Sequence, residues 1–367
     1  MDKETCRSLL SSRLIKTVEG DRRIRSAFLL VHSDRLGLHL DTAQGTCGGV
    51  PAVPDQPYYV ASVGKLFASV LIAILSEQGL LSFEDPIARF LDDELINGLH
   101  TYKGKDYSRD IKVKQLLNHT SGLHDYFEDK PRHGKPMIEI LLDEPSRFWT
   151  PREVVRWSKE NLHSHFPPGC GFHYSDTGYH LLGLIIEEIT GRSLHEALHS
   201  RIFHPLGMVH SCLWQHSHPE ERSKYPAADL FVGEKNVIDY RSLSIDYAGG
   251  GIVSTSGDLL KFMEALAHHR IIRINTFEKM KDWARFFPGI DYGYGLMNIR
   301  SVPILMPAKY ISWGIAGSVG SFMFYHPSLD LFLIGTLNRF RYHRKGIKLM
   351  FKCIDILSEF ANGTSPL

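Results

Sequence analysis

The chain has 367 residues, 43% of them hydrophobic and 23% charged, with a net charge of +1. That length accommodates two domains, or one large domain carrying an insertion, and the composition is that of an ordinary soluble globular protein. A charge so close to zero argues against a broad electrostatic footprint for nucleic acid or anionic membrane, and fits a small, locally recognised substrate.

The N-terminal segment has no apolar core of signal-peptide length, and no stretch reaches the length of a membrane span. A cytoplasmic location is therefore expected, although a chain trimmed of a leader would read the same. Five cysteines, Cys6, Cys47, Cys170, Cys212 and Cys353, are scattered without a C-x-x-C pair and read as free thiols. From Cys6 to Glu19, apolar residues at helical spacing (Leu9, Leu10, Leu14, Ile15, Val18) predict an amphipathic helix. Ser26–His32 and Leu36–Leu40 flank the turn-like Ser33-Asp34-Arg35 and predict a hairpin.

Next comes Tyr59-Val60-Ala61-Ser62-Val63-Gly64-Lys65, running into an apolar stretch that ends at Leu75. Ser62 falls at the first turn of a buried helix, with Lys65 three residues on along the same face. A serine hydroxyl needs a base at hydrogen-bonding distance, and a lysine supplies one only if burial lowers its pKa. An isolated Ser-x-x-Lys equally describes an N-cap serine followed by a surface lysine, so its company decides.

From about Pro86 to Arg285 helical and loop signals dominate, with helices expected at Val113–Leu117, Pro151–Asn161, Gly178–Thr190, Leu194–Ile202 and Asp258–His268. Within this region Leu116-Leu117-Asn118-His119-Thr120-Ser121-Gly122-Leu123 ends a helix in a turn, where His119 reads as a loop-stabilising residue before a general base. A Pro- and Gly-rich approach then delivers Tyr174-Ser175-Asp176 to the start of an apolar helix, pointing Tyr174 and Asp176 into a cleft. A phenol beside an ammonium relays protons more easily than one in water, although a loop-anchoring tyrosine with an aspartate N-cap fits the same residues.

Strand signals return at Tyr292–Ile299, Lys309–Ile315, Ser321–His326 and Leu331–Leu337, and an amphipathic segment from His343 to Phe360 closes the chain. Gly317, in Ile315-Ala316-Gly317-Ser318, permits close approach to the backbone. The N–H groups of Ser62 and Ser318 could then pair as donors to a carbonyl oxygen. Strands at both ends and helices between predict an α+β fold: residues 1–85 plus 286–367 form an antiparallel sheet flanked by terminal helices. Residues 86–285 form an inserted, mainly helical domain, with the active site in the cleft between the two.

Taken together, these blocks resemble the serine β-lactamase and penicillin-binding-protein superfamily, specifically its class C-like branch. That branch also holds D,D-peptidases, D-aminopeptidases, family VIII carboxylesterases and acyltransferases. Phe203-His204-Pro205-Leu206-Gly207-Met208, Gly249-Gly250-Gly251-Ile252-Val253-Ser254-Thr255 and Tyr292-Gly293-Tyr294-Gly295 extend the likeness along nearly the whole chain. The resemblance implies Ser62 as the acylated nucleophile, Lys65 as base or proton shuttle, Tyr174 as the acid for the leaving group, and the N–H groups of Ser62 and Ser318 as the oxyanion hole. It implies no cofactor and no metal.

Two departures bear on substrate. Asp176 stands where the family has Asn, and if ionised would hold Lys65 protonated, or pass the base role to Tyr174. Ile315-Ala316-Gly317 stands where antibiotic hydrolases carry Lys-Thr-Gly, so a charge-assisted hydrogen bond to a substrate carboxylate, worth roughly 1.5–3 kcal/mol, is absent. The expected substrate is a small carboxylic ester with an apolar acyl group, contacted by Asp176, Gly317, Ile315, Ala316 and Trp313. β-Lactams, D-amino-acid peptides or amides, acyl transfer, and a catalytically silent binding protein stay open, as does the oligomeric state. A histidine-rich run, His195, His199, His204, His210, His216 and His218, includes an i, i+4 pair that could bind a metal if partners converged, but its remaining spacings are irregular and the resemblance implies no metal.

Overall fold

The computed structural model describes residues 1–364. A nine-stranded antiparallel sheet runs in the spatial order Ala284–Phe287, Ile290–Tyr292, Met297–Ile299, Ser312–Ala316, Phe322–His326, Leu331–Thr336, Ser26–Ser33, Leu38–Cys47, Val50–Pro51. The N-terminal hairpin thus joins the C-terminal strands through Ser26–Ser33, which pairs with Leu331–Thr336 in the register Leu30↔Ile334. The architecture is the α+β one expected, an antiparallel sheet built from both ends of the chain and flanked by the terminal helices.

Period-two alternation explains how the interior strand Ser26–Ser33 feeds cores on both sides of the sheet. Phe28 and Leu30 enter one apolar cluster with Leu66, Phe67, Val70 and Phe262, while Ala27, Leu29 and Val31 enter another with Leu10, Leu14, Met350 and Leu357. The first cluster is the floor of the helical region and the second lies under the terminal helices Lys3–Glu19 and His343–Thr364. The sheet is therefore sandwiched between helices. All five cysteines are free, and among the described residues no helix is long and apolar enough to cross a membrane.

Local differences from the sequence expectations have local causes. The segment expected as one strand, Tyr292–Ile299, is split into two by a turn in which Gly293 N–H donates to Leu296 O at 2.7 Å and Gly295 takes a φ of +68°. The strand expected from Lys309 starts only at Ser312, because Ala308–Tyr310 winds into a short 3₁₀ turn after Pro307. The helix expected over Leu194–Ile202 is α-helical to Leu198 and then widens into a π-helical turn, His199–Phe203. The middle of the chain also holds a small sheet, Tyr58–Tyr59, Ile252–Ser254 and Cys212–Leu213. Its strands are too short to carry a periodic signal.

Candidate active site

The residue before Ser62 sets the local geometry. Ala61 has a φ of +49°, a left-handed conformation that costs a non-glycine residue energy and is held only by its surroundings. Those surroundings are specific: Val60 N–H donates to Ile252 O at 3.0 Å, and Ser321 Oγ donates to Val60 O at 2.6 Å. A single 3₁₀ turn, Ala61–Val63, then feeds the α-helix Gly64–Glu77, whose residues are nearly all buried. Ser62 thereby sits at the head of an apolar helix.

Glycines let a second turn press against this one. A Cβ on Gly250 would lie 2.6 Å from the carbonyl carbon of Ala61, and one on Gly64 would lie 2.9 Å from Gly250 Cα. Both contacts are with backbone, so neither neighbour can rotate away. Gly250→Ala is expected to cost about 1–3 kcal/mol of stability by overpacking and to lower activity by displacing Ser62. Gly257→Ala, in the helix Ser256–Ala267 with nothing within 4 Å of the added methyl, is expected to be neutral or stabilising. Urea unfolding of the two variants checks the contrast.

Lys65 is fully buried and its Nζ has three acceptors: a carboxylate oxygen of Asp176, Gly249 O at 2.6 Å and Ser62 Oγ at 3.3 Å. Three donors facing three acceptors satisfy an ammonium completely. Burial by itself pushes the lysine toward neutrality, but Asp176, with Tyr174 and Asp246, outweighs it and raises the pKa above the ordinary lysine value. The resting amine is protonated.

Two further carboxyls surround the pair. Asp246 accepts from Tyr59 OH at 3.0 Å and is pushed up to about 7, by burial first and the Asp176 charge second. Asp125 accepts the N–H groups of Asp176 and Phe127, each at 3.1 Å, and burial followed by Asp176 drives its pKa well upward. Asp176 itself opens the helix Asp176–Thr190, whose N-cap Ser175 accepts from Gly178 N–H at 3.1 Å.

Tyr174 completes the group. The Lys65 ammonium lies 4.9 Å from the centre of its ring. Burial pushes the phenol up, while the charge of Lys65 and hydrogen bonding with Lys65 and Ser62 pull it back, leaving it raised and neutral. His119 holds the ring from behind: their centroids are 4.2 Å apart, and His119 Nδ1 accepts from Ser175 N–H at 3.1 Å. A protonated Nδ1 could not accept that bond, and burial accordingly lowers the His119 pKa well below its usual value. His119 therefore serves as a neutral brace.

Of the residues expected to contact substrate, Gly317 reaches the serine and Asp176 reaches Lys65. A Cβ on Gly317 would lie 3.1 Å from Ser62 N, and the carbonyl joining Gly317 to Ser318 is held by Gly320 N–H at 3.2 Å. Ala316 is packed in the cluster that borders Tyr174 and Phe172. Trp313 and Ile315 correct the expectation. Ile315 is fully buried in the main core, and Trp313 packs against Phe277 and Tyr325 at 5.0 and 5.5 Å, because alternation turns both toward the same interior face.

An aromatic wall was not foreseen. Phe286, from the edge strand Ala284–Phe287, stands 5.2 Å from Phe172 and 6.4 Å from Tyr174, and Tyr292 stands 6.0 Å from Tyr174. Phe286 remains 40% exposed, so the wall opens to solvent. A cavity of about 660 Å³ lined by Arg89, Asp92, Arg152, Glu187 and Glu188 lies on another part of the surface and includes none of these residues.

The Beta-lactamase family profile matches residues 12–349. The chain belongs to the Beta-lactamase family. It is thus a member of the serine β-lactamase and penicillin-binding-protein superfamily. Penicillin-binding protein 4* of Bacillus subtilis (strain 168) is 28% identical over 264 residues, covering 67% of this chain and 53% of that protein. The chain spans about half the length of the first curated relatives it matches. The D-amino acid amidase of Ochrobactrum anthropi SV3 superposes with a TM-score of 0.74 at 25% identity, over 94% of this chain and 99% of that one. EstCE1, described as a hydrolase with promiscuous acyltransferase activity, shares the fold with a TM-score of 0.73 at 19% identity, over 95% and 98% of the two chains.

Proposed function

We propose that this Beta-lactamase family protein is a serine hydrolase that forms an acyl-enzyme on Ser62 and cleaves carboxylic esters of apolar acyl groups. The observation that carries the reading is a fully buried lysine 3.3 Å from the serine hydroxyl, beside a neutral phenol. In the reactive form Lys65 has lost a proton to solvent. Ser62 Oγ then attacks the ester carbonyl while its proton passes to the Lys65 amine. The N–H groups of Ser62 and Ser318 receive the oxyanion. Collapse of the tetrahedral intermediate breaks the bond to the leaving alkoxide, which takes the Tyr174 proton; Lys65 reprotonates Tyr174, and water attacks the acyl-enzyme by the reverse route.

Preference for an apolar acyl group rests on Phe172 and the exposed Phe286, which stand 5.2 Å apart beside Tyr174, while Ile315 and Ala316 supply no cation for a substrate carboxylate. A second reading, cleavage of D-amino-acid amides, is favoured by the likeness to the Ochrobactrum amidase. Intact-mass spectrometry after exposure to a panel of p-nitrophenyl esters, D-amino-acid amides and β-lactams separates the two. The expected result is a mass increment on Ser62 from medium-chain esters. Adducts from the amides alone would replace the first reading by the second, and efficient turnover of a cephalosporin would overturn the inference from Ile315 and Ala316.

A further inference from the structure

We propose that Asp129, His165 and His173 form a three-ligand site for a divalent metal ion of zinc's character, clamping together the two segments that lead to Asp125 and Tyr174. The three donor atoms lie within 4.8 Å of one another. His165 Nε2 is 2.9 Å and His173 Nε2 is 3.2 Å from the same oxygen of Asp129, and the two imidazole rings stack with centroids 3.5 Å apart. Two imidazoles and one carboxylate suit zinc and its neighbours, whereas magnesium and calcium prefer oxygen alone. Three protein ligands leave a position for water, and side-chain exposures of 18% for Asp129, 36% for His165 and 25% for His173 give an ion a path in.

The donors are held in place by backbone. Asp129 Oδ2 accepts from Asp125 N–H at 2.8 Å, His165 N–H donates to Gly122 O at 2.9 Å, and His173 N–H donates to His119 O at 2.9 Å. The same chain segments then meet the candidate active site, since Asp125 accepts from Asp176 N–H and His173 directly precedes Tyr174. A cation replacing the shared hydrogen bonds would cross-link residues 122–129 to residues 165–173 in the folded state only. The site lies apart from the reacting serine and takes no part in the acylation chemistry.

Titration of the chelator-stripped protein with Zn²⁺ alone, read by calorimetry and by metal content after dialysis, is expected to give one saturable ion per chain. Melting temperature should rise by about 2 °C or more at saturating metal. His165→Asn is expected to weaken binding roughly tenfold or more, and His165→Asn/His173→Asn to abolish both binding and the thermal shift. As His165 is the most exposed ligand, its variant should melt near the wild type without metal, which separates lost ligation from lost folding. His195→Asn/His204→Asn should bind as the wild type does. Absence of saturable binding, binding retained by the His165/His173 double variant, or binding lost in the His195/His204 variant would each overturn the site.

Discussion

Ser62→Ala is expected to lower ester turnover by about six orders of magnitude and to remove the acyl adduct from the intact-mass spectrum. The size follows from the proposed mechanism, in which Lys65 and Tyr174 move protons to and from one oxygen and without that oxygen have nothing to act on. What remains is polarisation of the carbonyl by backbone N–H groups and the positioning of substrate against Phe172 and Phe286. The fold should survive, because the hydroxyl faces Lys65 at 3.3 Å and the lysine keeps Asp176 and Gly249 as partners. Melting temperature near that of the wild type, measured beside the rate, shows that loss of activity is chemical. Normal turnover by the alanine variant would end the acyl-enzyme account. A wild-type protein that neither turns over esters nor reacts with a fluorophosphonate probe would instead favour the silent binding protein.

How much of this was legible in the sequence depends on how local each relationship is. Ser62 and Lys65 are one helical turn apart, and Tyr174 lies two residues from Asp176, so periodicity and motif alone place them at helix starts. Gly249, Asp246 and Asp125 reach Lys65 or Asp176 from distant parts of the chain, and no spacing announces that these groups will gather around one ion pair. The metal donors escaped for the same reason: the sequence draws attention to a run of histidines after His195, whereas the pair that converges on Asp129 is His165 and His173. Trp313 and Ile315 failed differently. Closeness to Gly317 along the chain suggested closeness to the cleft, but strand alternation assigns side chains to faces, and both were turned inward. Phe286 was overlooked because its edge strand, Ala284–Phe287, straddles the boundary expected between residues 285 and 286 and precedes the first strand signal at Tyr292.

Asp176→Asn is expected to change the pH dependence of acylation more than any other conservative substitution. In the wild type the carboxylate keeps Lys65 protonated, so only a small fraction of molecules holds a free amine at neutral pH, and kcat/KM should climb with pH through pH 9 without reaching a plateau. Asparagine has the same shape and still accepts a hydrogen bond from Nζ, but it removes the charge that offset burial. Desolvation then dominates and the lysine pKa falls. The ascending limb should move down by about two pH units, so the rate near pH 7 rises by up to about a hundredfold. Stability moves the other way. Because the folded-state pKa of Lys65 is raised, protonation of the lysine stabilises the wild type below the unfolded lysine value, and this contribution fades as the medium becomes strongly alkaline. Removing one partner of a buried pair costs about 3–5 kcal/mol before the lysine relieves the cost by losing its proton. The variant should thus melt earlier and react faster at neutral pH. Activity lost at every pH would show instead that Asp176 itself accepts the serine proton through Lys65, and a limb that stays in place would show that the charge of Lys65 is set by Asp246 and Tyr174.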